Sequence, residues 1–337
     1  AKLSEIIKSG KHSMNPSFKN EWKLLCARQL DQTYRENIFE LPMLLNVSGE
    51  IGYTVGKRIK GSTTEFGKKG NSTGKLNTTA TLLYSYEKDD TRRNVTCCPV
   101  QYGEYKGQTV EGMGDVDPTK QSVKPFGITI GKWRPEWMGE EWKAAAKASA
   151  DKVCTGVNVV KMRYSQVLLM YAEVMNELAG ANGNYQGDAG MTALQALAMV
   201  HNRGVKESNN DTSIDGDFLQ AASTHNKEQF LNDIAQENAW ELTGENARKW
   251  DLVRWGMLAS KIAEAKAEYA EKCLEWPQKI YFKYTDATKT RIDESSILWY
   301  GLEEAGKTEA DYDATEQATA FGFENEEARN KASQYKE

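Results

Sequence analysis

The stretch ENAWELTGENARKWDLVRWG, residues 237–256, concentrates the side chains best suited to chemistry. Glu237, Glu241 and Glu245 are spaced by four and share one helical face. Arg248, Asp251 and Arg254 are spaced by three and share a face of the next helix. Two carboxylates facing an open cleft a few ångströms apart could hydrolyse a glycosidic bond. An acidic row packed against a basic row is instead an ion-paired seam, in which arginine neighbours keep each carboxylate ionised and inert. With Trp240, Trp250 and Trp255 flanking the charges, the expectation is a structural seam between two helices, with no catalytic residue.

Other candidate chemistry is thinner. Residues 211–222, DTSIDGDFLQAA, place Asp211, Ser213, Asp215, Gly216 and Asp217 near the offsets of a calcium loop. The twelfth position is Ala222, where a bidentate glutamate is required, so an Asx-rich turn is expected. The three histidines, His12, His201 and His225, stand in no metal-binding or triad spacing. The five cysteines lack a CxxC pair and read as free buried thiols. No metal and no cofactor are expected.

Candidate binding residues lie earlier. Tyr102 and Tyr105 sit in CCPVQYGEYKGQ, close behind the DDTRRN segment that carries Arg92. Loop tyrosines present an apolar ring and a hydroxyl together, and Arg92 could hydrogen-bond a ligand's hydroxyls. Phe66, in TTEFGKKG, is a similar position. These four are the expected ligand contacts. Trp133, Trp137 and Trp142 in GKWRPEWMGEEW are read first as an aromatic plug and second as a stacking surface.

The elements that position these residues differ along the chain. Residues 2–10 read as the last turns of a helix stopped by Gly10, so the chain is expected to begin inside a structural element. FKNEWKLLCARQL can form a helix, and ENIFELPML a strand stopped by Pro42. Residues 45–130 are rich in Gly, Thr, Ser and Asn and read as an irregular region, with strand-like pieces at TLLYSY, NVTCCPV and FGITIGKW. Residues 160–273 turn helical. Tyr164, Leu168, Tyr171, Met175 and Leu178 form a helical stripe, and MTALQALAMVHNRGV forms a second helix closed by Gly204. A second hairpin is expected from about 226 to 243 and from 246 to 273. The tail beyond 301 is acidic and poor in large apolar residues, as for a surface excursion.

Size and charge narrow the function. The 337 residues are 39% hydrophobic, enough for a large core, and no run reaches a membrane span. A net charge of −5 with interspersed signs argues against nucleic acid.

The ordered segments MRYSQVLLMYAEVMNEL, ALQALAMVHNRG and IAQENAWELTGENARKWDLVRWG resemble the SusD/RagB family of outer-membrane nutrient-binding lipoproteins. The match runs through Arg163, Tyr164, Ala172, Glu173, Glu237, Glu241, Glu245, Arg248, Asp251, Leu252, Arg254, Trp255 and Gly256. Asn238, Gly244 and Ala247 depart from the family's usual Arg, Phe and His. The family's lipobox cysteine, first helical repeats and closing aromatic-Pro-Ile-Pro segment are not found, so a piece of a longer lipoprotein is expected, its lipid anchor on the missing N-terminus.

The resemblance implies a mostly α SusD-like fold. Tetratricopeptide-type helix pairs would support an irregular, loop-rich ligand-binding region. It implies a surface-exposed protein of the outer membrane that captures an oligosaccharide, performs no chemistry, and serves a SusC-like TonB-dependent transporter. A tetratricopeptide-type peptide-binding adaptor and a glycoside hydrolase are the rival readings.

Overall fold

Helix α1 (Lys2–Lys8) ends before Gly10, whose φ of +61° favours glycine. Helix α2 (Phe18–Cys26) starts where the Ser17 hydroxyl accepts the amide proton of Asn20. It buries Phe18, Glu21, Trp22, Leu25 and Cys26, a continuous helical stripe that includes one acid. Strand β1 (Asn37–Leu41) stops before Pro42, as expected. The structure, a computed structural model, describes residues 1–68 and 72–331.

Residues 45–130 hold more regular structure than their composition suggests. The short helix α3 (Ile51–Thr54) precedes β2 (Ile59–Lys60) and β3 (Asn77–Thr78). TLLYSY is not a strand but helix α4 (Ala80–Ser85), because the Thr79 hydroxyl caps Leu82 N and Ala80 and Leu83 share the buried face. NVTCCPV likewise begins inside helix α5 (Thr91–Thr96), capped by Asp90, and extends only at β4 (Cys97–Cys98). Strands β5 (Val100–Tyr105) and β6 (Gln108–Met113) form a hairpin. Its two-residue turn, Lys106–Gly107, has φ of +49° and +81°, the pattern whose twist matches paired strands. Strand β2 adds in parallel to β5, and β7 (Ile128–Ile130) lies between β3 and β4. Helix α6 (Glu140–Ala148) follows, and β8 (Val159–Arg163) pairs antiparallel with β1.

Helix α7 (Tyr164–Ala179) packs along α8 (Ala193–Lys206), and both touch α10 (Lys227–Leu242). Tyr164, Leu168, Tyr171 and Met175 are buried as the stripe demands, but Leu178 is exposed at the helix end. Gly204 does not close α8, which runs on to Lys206. Its lack of a side chain serves a close approach: a Cβ there would lie 2.3 Å from Arg92 Nε. The short α9 (Gly216–Ala222) precedes α10. The last expected helix is broken into α11 (Arg248–Arg254) and α12 (Leu258–Lys272) around Gly256, at φ +70°.

The chain closes with β9 (Lys279–Tyr281), β10 (Lys283–Tyr284), β11 (Ile292–Asp293), β12 (Gln317–Thr319) and α13 (Glu326–Lys331). The expected surface tail is therefore corrected at its centre. β12 pairs with β9, and Ala318 and Phe321 are buried with Leu83, Ile280 and Phe282. Among the described residues no helix is long and apolar enough to cross a membrane.

Candidate functional site

The acidic row is buried, as the seam reading requires, but its partners are not those the spacing offered. Glu237 and Glu241 project from α10, and Glu245 follows Gly244 just beyond it. Arg92, from α5, donates to Asp90 at 2.7 Å, to Glu241 at 3.1 Å and to Glu237. Arg163, at the end of β8, reaches Glu241 at 2.9 Å, Glu245 at 2.8 Å and Glu36 at 2.5 Å. Arg203 of α8 also pairs with Glu241, and Lys132 lies 2.5 Å from Glu245. Burial alone would raise the Glu241 carboxyl, but the guanidinium groups of Arg203, Arg163 and Arg92 outweigh it and hold it well below the usual range.

Arg248 instead donates to the Ala235 carbonyl, and Arg254 pairs with Glu173 and Asp251 at the surface. The α11 cations thus take no part in the buried cluster. A carboxylate at 0% exposure between two or three cations has neither the open face nor the proton affinity of a glycosidase acid.

Three of the four expected ligand contacts are buried in this structure. Phe66 and Arg92 are fully buried and Tyr102 is 2% exposed. Tyr102 lies in β5, the centre strand of its sheet, with Phe66 against it at 4.7 Å between ring centroids and the Lys57 ammonium 4.6 Å from its own. The glycines that suggested a loop belong to a strand and its hairpin turn. Arg92 is spent on the acidic row. Tyr105 alone, at the end of the β5–β6 hairpin, is partly exposed, with Lys106 Nζ 5.2 Å from its ring centroid. Trp133 packs edge-on against Trp22 at 5.1 Å, Trp142 is buried, and Arg134 covers Trp137 at 4.6 Å. That is the plug.

Two acidic clusters hold a lysine where a cation would sit. Carboxylate oxygens of Glu111, Glu136 and Glu294 lie within 4.8 Å of one another, and Lys57 Nζ stands 2.7, 3.0 and 3.0 Å from them. In the 211–222 turn, Lys206 Nζ lies 3.2 Å from Asp211, 2.8 Å from Ser213 and 2.8 Å from Asp215. Asp211 also accepts the Ser213 amide proton, which makes the segment an Asx turn.

One open feature was missed by sequence reasoning. A cleft of about 230 Å³ opens between β8, α7, α10 and α11, lined by Met170, Glu173, Asn238, Trp250, Arg254 and Trp255 among others. Trp250, expected to flank the seam, is 65% exposed. The signal in the sequence was the spacing of Trp250 and Val253, three apart and so on one helical face.

The model of the SusD family matches residues 35–336. This chain belongs to the SusD family. No curated protein shows significant similarity to it. It is similar in fold to a SusD homolog from Bacteroides thetaiotaomicron, with 22% identity over 80% of this chain and 50% of that one and a TM-score of 0.58. Surface glycan-binding protein A from the same organism matches at 19% identity over 77% of this chain and 49% of that one, with a TM-score of 0.48. The same protein in complex with laminarihexaose gives 20%, 77%, 50% and 0.47. This SusD-family chain thus spans about half the length of the solved relatives it matches.

The departures of this SusD-family chain from the family pattern now have places. Asn238 and Ala247 both line the cleft. Gly244 has φ +86°, and a Cβ there would meet Ile130 Cγ2 at 2.9 Å, so a phenylalanine would not fit without rearrangement.

Proposed function

We propose that the protein is a cell-surface glycan-binding protein that captures an oligosaccharide and delivers it to a SusC-like TonB-dependent outer-membrane transporter, without chemistry of its own. Membership of the SusD family carries this reading. The acidic row supports it from the side of mechanism, since its carboxylates are committed to arginines. We read residues 1–337 as one SusD-like unit, with α7–α8 and α10–α12 as tetratricopeptide-type pairs within residues 160–273. The 45–130 region would carry the ligand contacts, and the whole would be held at the outer membrane by a lipid anchor on a preceding segment.

Of the residues expected to touch ligand, Tyr105 keeps the exposure that role needs. Calorimetry against laminarihexaose, maltohexaose, cellohexaose and xylohexaose should find a ligand with Kd between micromolar and millimolar, about −8 to −4 kcal/mol. Tyr105→Ala should weaken it while leaving the melting temperature unchanged; wild-type affinity in this variant would remove Tyr105 from the site.

Incubation of the pure protein with the same glycans should release no new reducing ends. Turnover abolished by a single carboxylate substitution would restore the hydrolase reading.

A further inference from the structure

Two of the residues that line the cleft beside α11, Asn238 and Trp255, each carry a buried polar atom that the protein leaves unsatisfied. Asn238 is 3% exposed, and its Nδ2 donates to Asp251 Oδ2 at 2.9 Å. An ionised carboxylate only accepts, so this bond fixes which end of the amide is nitrogen and which is oxygen. The remaining Oδ1 has no hydrogen-bond partner among the described residues, and neither does Trp255 Nε1. One atom needs a donor and the other an acceptor, and an unmet buried polar group costs free energy. Beside them stands Trp250, its indole largely open, with the Lys249 ammonium 5.3 Å from the ring centroid.

We propose that this cleft is a saccharide subsite in which one sugar ring lies on the Trp250 indole and its hydroxyls pair with Asn238 and Trp255. The assignment rests on the glycan-binding reading above and deepens it, adding a contact on the helices to the one at the hairpin. Hydroxyl groups both donate and accept, so one ligand class meets both unsatisfied atoms. An aliphatic ligand would meet neither. An ionised carboxylate could accept from Trp255 but could not donate to Asn238. An ammonium could donate to Asn238 but not accept from Trp255.

The volume, about 230 Å³, is below the roughly 300–1,000 Å³ typical of drug-sized ligands, which suits a single ring of a longer glycan. Both unsatisfied atoms are closed off from solvent. Seating the ring therefore requires a local rearrangement that opens these two atoms to it.

The test uses the full chain, the four hexasaccharides above and a mixture of casein peptides. Calorimetry compares wild type with Trp250→Ala, Trp250→Phe and Tyr105→Ala, and NMR follows the Trp255 indole proton. Trp250 is exposed, so both variants at that position should keep the wild-type melting temperature. The best glycan should bind Trp250→Ala at least about tenfold more weakly and Trp250→Phe within about threefold of wild type, because the phenyl ring keeps the stacking face. The Trp255 indole proton should shift on glycan addition.

A glycan that binds Trp250→Ala as tightly as wild type, with the indole proton unmoved, would overturn this subsite while leaving the glycan reading intact. If Tyr105→Ala then loses binding, the hairpin is the site. If none of the glycans binds wild type, the glycan reading falls and this subsite with it. Casein peptides that bind in its place and are lost in Trp250→Ala would make the cleft a peptide site.

Discussion

Replacing Glu241 with alanine should lower the unfolding free energy by about 3–5 kcal/mol, the cost of breaking a buried ion pair from one side. The carboxylate is fully buried and shared among Arg92, Arg163 and Arg203. Its removal takes one partner from each of three buried guanidinium groups. Arg163 retains Glu36 and Glu245, and Arg92 retains Asp90 and Glu237, so the loss falls most heavily on Arg203. Arg203 is left with Glu36 at 3.4 Å, and its Nε has no partner among the described residues.

Urea denaturation of Glu241→Ala and Arg254→Ala makes the comparison. Arg254, half exposed on α11, should lose no more than about 1 kcal/mol, as surface ion pairs do. Equal losses in the two variants, or an unchanged Glu241→Ala, would contradict the assignment of the cluster as the structural centre of the helices.

Replacing Glu21 with glutamine should stabilise the protein by about 1–3 kcal/mol at pH 7–8, since one unit of pKa shift corresponds to about 1.4 kcal/mol. Glu21 is 2% exposed on α2, and its Oε2 has no hydrogen-bond partner among the described residues. Burial, and then the Glu36 carboxylate, push its carboxyl up from 4.5 to about 8. The folded protein therefore holds a proton that the unfolded chain releases above about pH 4.5. Stability falls as pH rises from there towards 8, because the unfolded state binds fewer protons in that window. Glutamine has no proton to lose, so the variant should lack this decline.

His201 contributes a second decline of the same sign. Burial lowers its pKa, but Glu237 and a hydrogen bond to Glu87 outweigh this and raise it from 6.5 to about 9. Its stabilisation is complete below pH 6.5 and is lost as pH rises through about 9. Unfolding curves at pH 5, 6, 7 and 8 should show wild type losing stability throughout and Glu21→Gln losing it only above about pH 6.5. Parallel curves for the two proteins would mean that Glu21 is ionised in the folded state.

The helices α2, α7, α8 and α10 were legible because apolar residues recur in each at helical spacing, a property that belongs to the segment alone. The same spacing put Glu237, Glu241 and Glu245 on one face and predicted that they would be buried and paired. The ordered residues from Arg163 to Gly256 also carried the family. TLLYSY and NVTCCPV misled because β-branched and aromatic residues favour strands, while the caps Thr79 and Asp90, each one residue before its helix, decided otherwise.

The partners of the acidic row could not be read from the sequence. Arg92 lies 145 residues from Glu237, Lys132 lies 113 from Glu245, and Arg163 lies 82 from Glu245. Periodicity says which way a side chain points from its own helix, not which distant segment arrives opposite it. The nearby Arg248 and Arg254 were the natural candidates, and the packing of α5 and α8 against α10 excluded them. Exposure followed the same rule. Phe66 and Tyr102 are buried because they pack into one core cluster with Ile59, Trp133 and Trp142, and Trp250 is exposed because it lies off the face of α11 that buries Leu252. Sequence by itself determined the faces of the helices and the family; only the tertiary structure decided which charges meet and which aromatic rings face solvent, because both depend on contacts between segments far apart in the chain.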